Sequence, residues 1–499
     1  MAHYLGIDLG TTGLKAVIAD AGGAIAGIGY REYPLNSPAP NYAEQETEAW
    51  HRAMCLAIGD ALAKAAIHPK DIRCVGFSGQ MHGLVLLDGD GEVLCPAIIH
   101  CDGRAGKQKQ QIINRLGVDQ LGRLVQNQVH SGFQSLSLMW MKENRPEIYA
   151  RARHALLPKD YLRYRLCGEF GTEPTDACST LMFDNVGMRW SDKLISALGI
   201  DQSLLPDCRH RPYEIAGRVT RRAAAETGLA EGTLVSFGGG DQPMQAVGNG
   251  LLRPGSSCVN LGTSGQLFVA MDRPIYDPQL RTHSFCHAPA DSWYLMGAVL
   301  NACMAANWFN ASVCASGDYR AMHAAAAQAA AGCSGLIFLP YLTGERTPHM
   351  NEDARGAFIG LTLRHDRNAM ARAVLEGVAY SLRDCLEIVR GLNLPVRHTL
   401  ISGGGARSAL WRQILADVLE MPLYLTEIGE QAAMGAVLCA QVAAGEYADL
   451  QEACEAVVKY NPTPTEPNPA NFSVYRENYA LYRAAYPANV GLFKGMSGR

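Results

Sequence analysis

Apolar positions come in short blocks at the start of the chain. His3 to Asp8, Leu14 to Asp20 and Ala24 to Tyr33 are strand-like runs divided by Gly-rich turns, because Gly and small polar residues punctuate strands where the backbone reverses. A helix is predicted over roughly Glu46 to Ala66, and the apolar run from Ile72 to Phe77 predicts a further strand leading into Gly79. The chain therefore begins β-β-β-α-β. From Lys107 to about Glu231 the pattern is mixed and mostly helical, with Pro-containing connectors near Pro206 and Pro212. Beyond it, strands at 257–261, 266–271 and 293–299 lead into helices over about 301–313 and 319–331. After a strand from Gly335 to Leu339 comes a long helix near 367–390, and a strand from Thr399 to Ser402 feeds Gly403-Gly404-Gly405 and another helix. The Ala-rich stretch 321–331 has helix propensity and is read as a solvent-facing helix.

The two halves repeat each other. Residues 7–20, Ile-Asp-Leu-Gly-Thr-Thr-Gly-Leu-Lys-Ala-Val-Ile-Ala-Asp, align without gaps to residues 259–272, Val-Asn-Leu-Gly-Thr-Ser-Gly-Gln-Leu-Phe-Val-Ala-Met-Asp. Leu, Gly, Thr, Gly, Val and Asp recur at matching places, at an offset of 252 in a chain of 499 residues. A Gly-Thr turn recurs often by chance, but the same strand-turn-strand context at half-length does not. One duplicated domain is expected.

Composition narrows the functional classes. A 48% apolar, 18% charged chain of this length is globular and too long for one ordinary core. With a formal charge of −4 and no dense Lys/Arg run, it has no electrostatic footprint for nucleic acid or an anionic membrane. Met1 leads straight into a strand carrying Asp8, with no basic n-region or cleavable apolar stretch. The uncharged run Ser292 to Gly317 contains Asn301, Asn307 and Asn310, so it is read as a buried strand followed by a helix, not a membrane span. Fifteen scattered cysteines without a C-x-x-C pair suit reduced thiols in a cytoplasmic protein. In His283-Ser284-Phe285-Cys286-His287, the two histidines share one strand face and Cys286 the other. That is poor geometry for three ligands, and no metal site is expected there.

Six short segments carry candidate chemistry. Gly6-Ile7-Asp8-Leu9-Gly10-Thr11-Thr12-Gly13 puts a carboxylate at a strand end before a Gly/Thr hairpin. Backbone N–H groups and hydroxyls there can cradle phosphates, with Thr11, Thr12 and Lys15 as contacts, and Asp8 can hold the water shell of Mg²⁺. An ordinary β-turn is the plain alternative. A second hairpin, Leu261 to Gly265 with Thr263 and Ser264, would complete a clamp. Gly238-Gly239-Gly240-Asp241-Gln242 follows an apolar strand, so Asp241 is either a general base or a helix cap, or both. Ser402 to Ser408 is Gly-rich but lacks the G-x-G-x-x-G spacing, and no G-x-x-x-x-G-K-[ST] occurs, which disfavours dinucleotide and P-loop folds. Gln80-Met81-His82-Gly83 and His100-Cys101-Asp102-Gly103-Arg104 follow neighbouring apolar runs and can line a pocket, with Asp102 and Arg104 toward sugar hydroxyls.

At these residues the chain resembles the FGGY family of carbohydrate kinases, and within it the xylulokinase branch. The resemblance spans nearly the whole chain and includes Leu157 to Leu162 as Leu-Pro-Lys-Asp-Tyr-Leu and Leu339 to His349 as Leu-Pro-Tyr-Leu-Thr-Gly-Glu-Arg-Thr-Pro-His. It implies an α/β fold of duplicated ribonuclease H-like, actin-like ATPase domains with the active site in the cleft between them. Residues 1–245 would form the sugar-binding side and 246–499 the nucleotide-binding side. It further implies ATP and Mg²⁺ as cofactors, Asp241 as catalytic base, Asp8 as the metal-side carboxylate, and Gln80, Met81, His82, Asp102, Arg104 and Gln242 around the sugar. Thr263, Gly404, Gly405 and Ser408 would contact nucleotide, with Asn307 near the adenine or ribose. D-xylulose 5-phosphate would be the product, and homodimerisation is compatible with this reading. Two departures touch the pocket: His100-Cys101 stands where most of the xylulokinase branch shows Trp-Asn, and Gln242 replaces the usual Asn. They leave the sugar less determined than the reaction. The rival readings are an actin-like ATPase without a sugar pocket and a sugar-binding regulator without turnover.

Overall fold

The computed structural model describes residues 2–208, 210–314 and 318–496. Strands β1 (His3–Leu9), β2 (Gly13–Asp20) and β3 (Ile25–Glu32) form an antiparallel meander, and β4 (Ile72–Gly79) returns parallel to β1. With β5 (Ile215–Arg218) and β6 (Leu234–Ser236) they give a sheet in the order β3-β2-β1-β4-β6-β5, to which the short strand Gly239–Gly240 adds beside β4. The second half builds β7 (Ser256–Leu261), β8 (Gly265–Met271), β9 (His283–Cys286), β10 (Trp293–Val299), β11 (His398–Ser402) and β12 (Tyr424–Leu425) in the order β9-β10-β8-β7-β11-β12. Thus β3-β2-β1-β4-β6 and β10-β8-β7-β11-β12 are one strand order used twice, with β4 and β11 each parallel to the first strand of its meander. The duplication expected from the hairpins is present.

Helices close the faces. In α1 (Thr47–Ala65), Trp50, Ala53, Met54, Ala57, Ile58 and Ala61 recur at helical spacing and are buried against the first sheet, so the side chains of one stripe make the core. Burial of Met54 or Ile58 contributes about 1.5–3 kcal/mol each. Helix α2 (Asp241–Gly248) follows the first sheet, while α3 (Arg367–Gly391), α4 (Ala409–Leu419), α5 (Gln431–Ala443) and α6 (Phe472–Met496) belong to the second half. The Asp366 side chain caps α3 by accepting from Ala369 N at 2.9 Å. Helix α5 packs on the first sheet: Tyr4, Val17 and Cys74 share a core with Val437, Leu438 and Ala440. The halves are therefore joined through a common core.

Several expected elements are shorter. The 301–313 helix is α-helical only over Cys303–Trp308 and continues as a π turn over Phe309–Val313. The Ala-rich helix ends at Gln328 and buries Met322 and Ala326 against the second core, so it is not wholly solvent-facing. The strand expected from Gly335 begins at Ile337, because Cys333–Gly335 form a 3-10 turn with Gly335 at φ 88°. Within the uncharged run 292–317, β10 is followed by the Cys303–Trp308 helix, and residues 315–317 lie outside the described residues. Among the described residues no helix is long and apolar enough to cross a membrane.

Candidate active site

Three chain ends meet where β1, β4 and the Gly239–Gly240 strand stop. Gly239 and Gly240 pair in parallel with Ser78 and Gly79, so Asp241 opens α2 beside the end of β4, next to Gln80, Met81 and His82. Gly238 makes this approach feasible. It holds φ 69°, and a Cβ there would lie 2.3 Å from Phe77 O, positions that only glycine tolerates. Met81 is buried against Gly240, where a Cβ would come within 2.9 Å of the Met81 Sδ.

Asp8 and Asp241 are the two carboxylates of this floor, partly accessible to solvent yet surrounded by protein. Burial pushes the Asp241 carboxyl up to about 7, and the neighbouring charge of Asp8 adds to it. Burial also raises Asp8, opposed by the Ser78 hydroxyl and the Lys15 ammonium. Ser78 Oγ donates to Asp8 Oδ1 at 2.7 Å. Lys15 is ion-paired with Glu430, just ahead of α5.

His82 adopts φ 73°, uncommon for a residue with a Cβ. Its backbone N donates to Ser179 Oγ at 3.2 Å and its Nδ1 lies 2.8 Å from Ser179 O. A carbonyl only accepts, so Nδ1 carries the proton and Nε2 is left as an acceptor. Burial holds the imidazole down at about 3, so it is neutral. Its ring belongs to a closed circle of five: His82, Phe133, His130, His283 and Phe285, with successive centroids 4.7, 6.0, 5.6, 5.8 and 6.0 Å apart. His283 and Phe285 come from β9, so both halves build this wall. The other members of the His283–His287 string are engaged elsewhere, His287 Nε2 with Leu251 O at 2.9 Å and Cys286 Sγ with Asn185 O at 3.8 Å.

Asp102 and Arg104 mostly satisfy each other. Arg104 Nε and an NH₂ group donate to the Asp102 carboxylate at 2.7–2.9 Å, the same guanidinium reaches Glu44 at 2.7 Å and lies over the Tyr42 ring at 3.8 Å, and Ala43 N donates to Asp102 Oδ2 at 2.6 Å. The pair braces residues 42–44 against 102–104. Gln80 Nε2 donates to Gln45 Oε1 at 3.1 Å, and Gln45 in turn donates to Thr11 O at 2.8 Å, linking pocket to hairpin. Gln242 is half-buried and His100 exposed.

On the other wall, Thr263 and Ser264 are exposed at the tip of the second hairpin. Gly403 is nested against that hairpin, since a Cβ there would lie 2.7 Å from Asn260 Oδ1, whereas a Cβ at Gly404 would meet nothing. Gly405 is closed off by Leu261. Ser408 Oγ caps α4 by accepting from Trp411 N at 3.2 Å and pairs with His323 Nδ1 at 2.9 Å. Asn307 is exposed on its helix. The sequence reading missed Ser78, Ser179 and Glu430, which hold Asp8, His82 and Lys15.

The family model for the N-terminal domain of the FGGY family of carbohydrate kinases matches residues 3–248, and that for the C-terminal domain matches 258–444. The chain belongs to the FGGY family of carbohydrate kinases. It is 37% identical over 453 residues to a xylulose kinase of Escherichia coli, covering 90% of this chain and 92% of that one. A solved xyloylose kinase of Brucella ovis superposes with TM-score 0.91 at 35% identity over 98% of this chain and 100% of that one. A solved gluconate kinase of Lactobacillus acidophilus gives TM-score 0.93 at 27% identity over 99% and 100%. This FGGY chain is an ATP-dependent sugar kinase, a phosphotransferase with an alcohol acceptor.

Proposed function

We propose that this kinase converts D-xylulose to D-xylulose 5-phosphate, with Asp241 as general base. The observation that carries the reading is a carboxyl near 7 at the start of α2, flanked by Met81 and by a neutral His82 with its Nε2 left as an acceptor. A base poised near neutral pH accepts a hydroxyl proton as the oxygen attacks phosphorus. In this step the ketose O–H bond breaks, its proton passes to Asp241, the new O–P bond forms and ADP leaves. His82 and Met81 orient the ketose, with Gln80 and Gln242 beside them.

Asp8 fits the metal side. Ser78 occupies its Oδ1 and Lys15 is drawn to Glu430, which leaves Oδ2 to a hydrated cation. Mg²⁺ held there would neutralise phosphate charge. Thr11, Thr12, Thr263 and Ser264 then clamp the phosphates, and Gly404, Gly405, Ser408 and Asn307 take the nucleoside. We assign sugar to residues 1–245 and nucleotide to 246–499. Fifteen unpaired thiols support a reducing, cytoplasmic setting.

One observation favours a second sugar. His100 stands where the branch shows Trp, and a solved neighbour bears the name gluconate kinase. An ADP-release screen over ketoses, polyols and sugar acids decides between them. D-xylulose is expected as the best acceptor. Strong turnover of gluconate with none of D-xylulose would overturn the assignment.

A further inference from the structure

Between the helical middle and β5 lies a buried turn whose residues touch both sugar-side groups. Thr175 Oγ1 accepts from Gly240 N at 3.1 Å, the residue directly before Asp241, and donates to Glu173 Oε1 at 2.8 Å. Four residues on, Ser179 holds His82 through its hydroxyl and its carbonyl, at 3.2 and 2.8 Å. The turn between them is rigid. Glu173 accepts from Thr175 N at 2.8 Å and Asp176 N at 3.1 Å, and Ser179 N donates to Asp176 O at 3.0 Å. Glu173, Thr175, Asp176 and Ser179 are all 0% exposed.

Its anchor is Lys159, itself 0% exposed, from the Leu157 to Leu162 string. Lys159 Nζ lies 2.7 Å from Asp160, 3.5 Å from Glu173 and 3.5 Å from Asp176, and Arg163 joins Asp160 at 3.5 Å. A buried ionic cluster is weak evidence for stability, since apolar side chains of like volume serve as well or better. What it provides is direction, because hydrogen bonds fix geometry where packing alone tolerates sliding. His82 needs such fixing, since a left-handed backbone at a residue with a Cβ is strained and persists only where its surroundings hold it.

We propose that Glu173–Ser179 is a positioning bracket that sets the spacing between the base Asp241 and the sugar-binding His82, with Thr175 holding one and Ser179 the other. Both residues are fully buried, out of reach of a ligand bound in the cleft. Both act through the groups they hold. The proposal rests on the reading of Asp241 as base and His82 as sugar ligand.

The test uses the full chain with D-xylulose, or the best acceptor from the screen, and ATP, following kcat, both KM values and the melting temperature. Thr175→Val is expected to lower kcat roughly 10–100-fold, the order of loss from misplacing a reacting group by about an ångström, with ATP KM held within about threefold. Thr175→Ser, which keeps the hydroxyl, is expected to restore kcat to within a few-fold. Ser179→Ala is expected to raise the ketose KM by roughly 3–10-fold, the worth of one hydrogen bond, and to leave ATP KM unchanged. Wild-type kcat in Thr175→Val, a serine no better than the valine, or equal rises in both KM values would overturn the bracket. Should Thr175→Val not fold, Ser179→Ala decides alone by the same KM split. Asp241→Asn run beside them separates the two readings. If it turns over normally, the base assignment fails and the bracket with it; if it is dead while Thr175→Val is normal, only the bracket fails.

Discussion

Asp8 and Asn260 occupy the same place in two copies of one hairpin: Asp8 pairs in parallel with Ser78 across to β4, and Asn260 pairs in parallel with Ser402 across to β11. The copies are not superimposable at the tip. The first closes with Leu9 opposite Leu14, the second with Leu261 opposite Gly265, so the second loop is one residue tighter. Asp8 keeps a charge beside Asp241, whereas the Asn260 amide reaches only Gln245 Oε1 at 3.4 Å. Asp8→Asn is therefore expected to lower turnover strongly and to raise the Mg²⁺ concentration for half-activity. Asn260→Asp should weaken ATP by like-charge repulsion with little change in Mg²⁺ demand. A Mg²⁺ titration of both variants checks this, and equal small losses would show that both side chains merely brace their hairpins.

Asp241→Asn keeps the side-chain shape but cannot take a proton. Loss of a general base lowers rate by about 10²–10⁴, and sugar and ATP binding should stay within a few-fold. Turnover close to that of the unaltered protein would remove Asp241 from the role.

The pH profile follows from the same carboxyl. Its folded value is raised to about 7, by burial first and Asp8 second. With Asp241 as the proposed base, the group that must accept the proton is itself protonated below that value, and kcat/KM should rise with pH through about 7 and level off above it. Removing the Asp8 charge takes away the second cause and leaves the first. In the residual activity of Asp8→Asn the rising limb should therefore move to lower pH, and an unmoved limb would assign it to another group. His82, held near 3, should add no limb between pH 5 and 8.

The succession of strands and the two hairpins were legible because they are local: short apolar runs between Gly-rich turns, repeated at half-length. So was the place of Asp241, since three glycines after an apolar run put the carboxylate at a strand end, where it opens α2. The positioning groups were not. Thr175 meets Gly240 across 65 residues, Ser179 meets His82 across 97 and Lys15 meets Glu430 across 415. A single Thr, Ser or Glu carries no period by which such a partner can be found. Helix α6 escaped notice because Pro487 inside it reads as a break. Asp102 and Arg104 show the converse. Their spacing drew attention as a sugar contact, but a bidentate pair two residues apart spends both groups on each other. With both side chains almost fully buried, Asp102→Ala should leave the guanidinium to Glu44 alone and Ala43 N without its acceptor, costing about 1–3 kcal/mol of stability, read by chemical denaturation. A loss confined to ketose KM at unchanged stability would restore the sugar-contact role.

The last prediction concerns how the halves are held. Helix α2 carries Asp241, and α5 crosses it so closely that a Cβ at Gly435 would lie 1.9 Å from Met244 O, and one at Gly248 1.9 Å from Gln431 O. These are backbone atoms, which cannot rotate aside as a side-chain end can. Gly435→Ala must therefore push the helices apart, and two things move with them. One is the shared core, where Met244 and Val247 pack with Met434 and Leu438. The other is the N-terminus of α2, and with it the Asp241 carboxyl. Overpacking of this kind costs about 1–3 kcal/mol, so the melting temperature should fall. Because the displacement reaches Asp241, kcat should fall as well if that carboxyl is the base, by more than for Gly59→Ala in α1, where a Cβ meets nothing within 4 Å. Comparing the two alanine variants for melting temperature and kcat isolates the crossing from helix propensity, which favours alanine at both sites. Gly435→Ala with unchanged stability and kcat would mean that the crossing opens without cost, and that α5 does not set the position of the base.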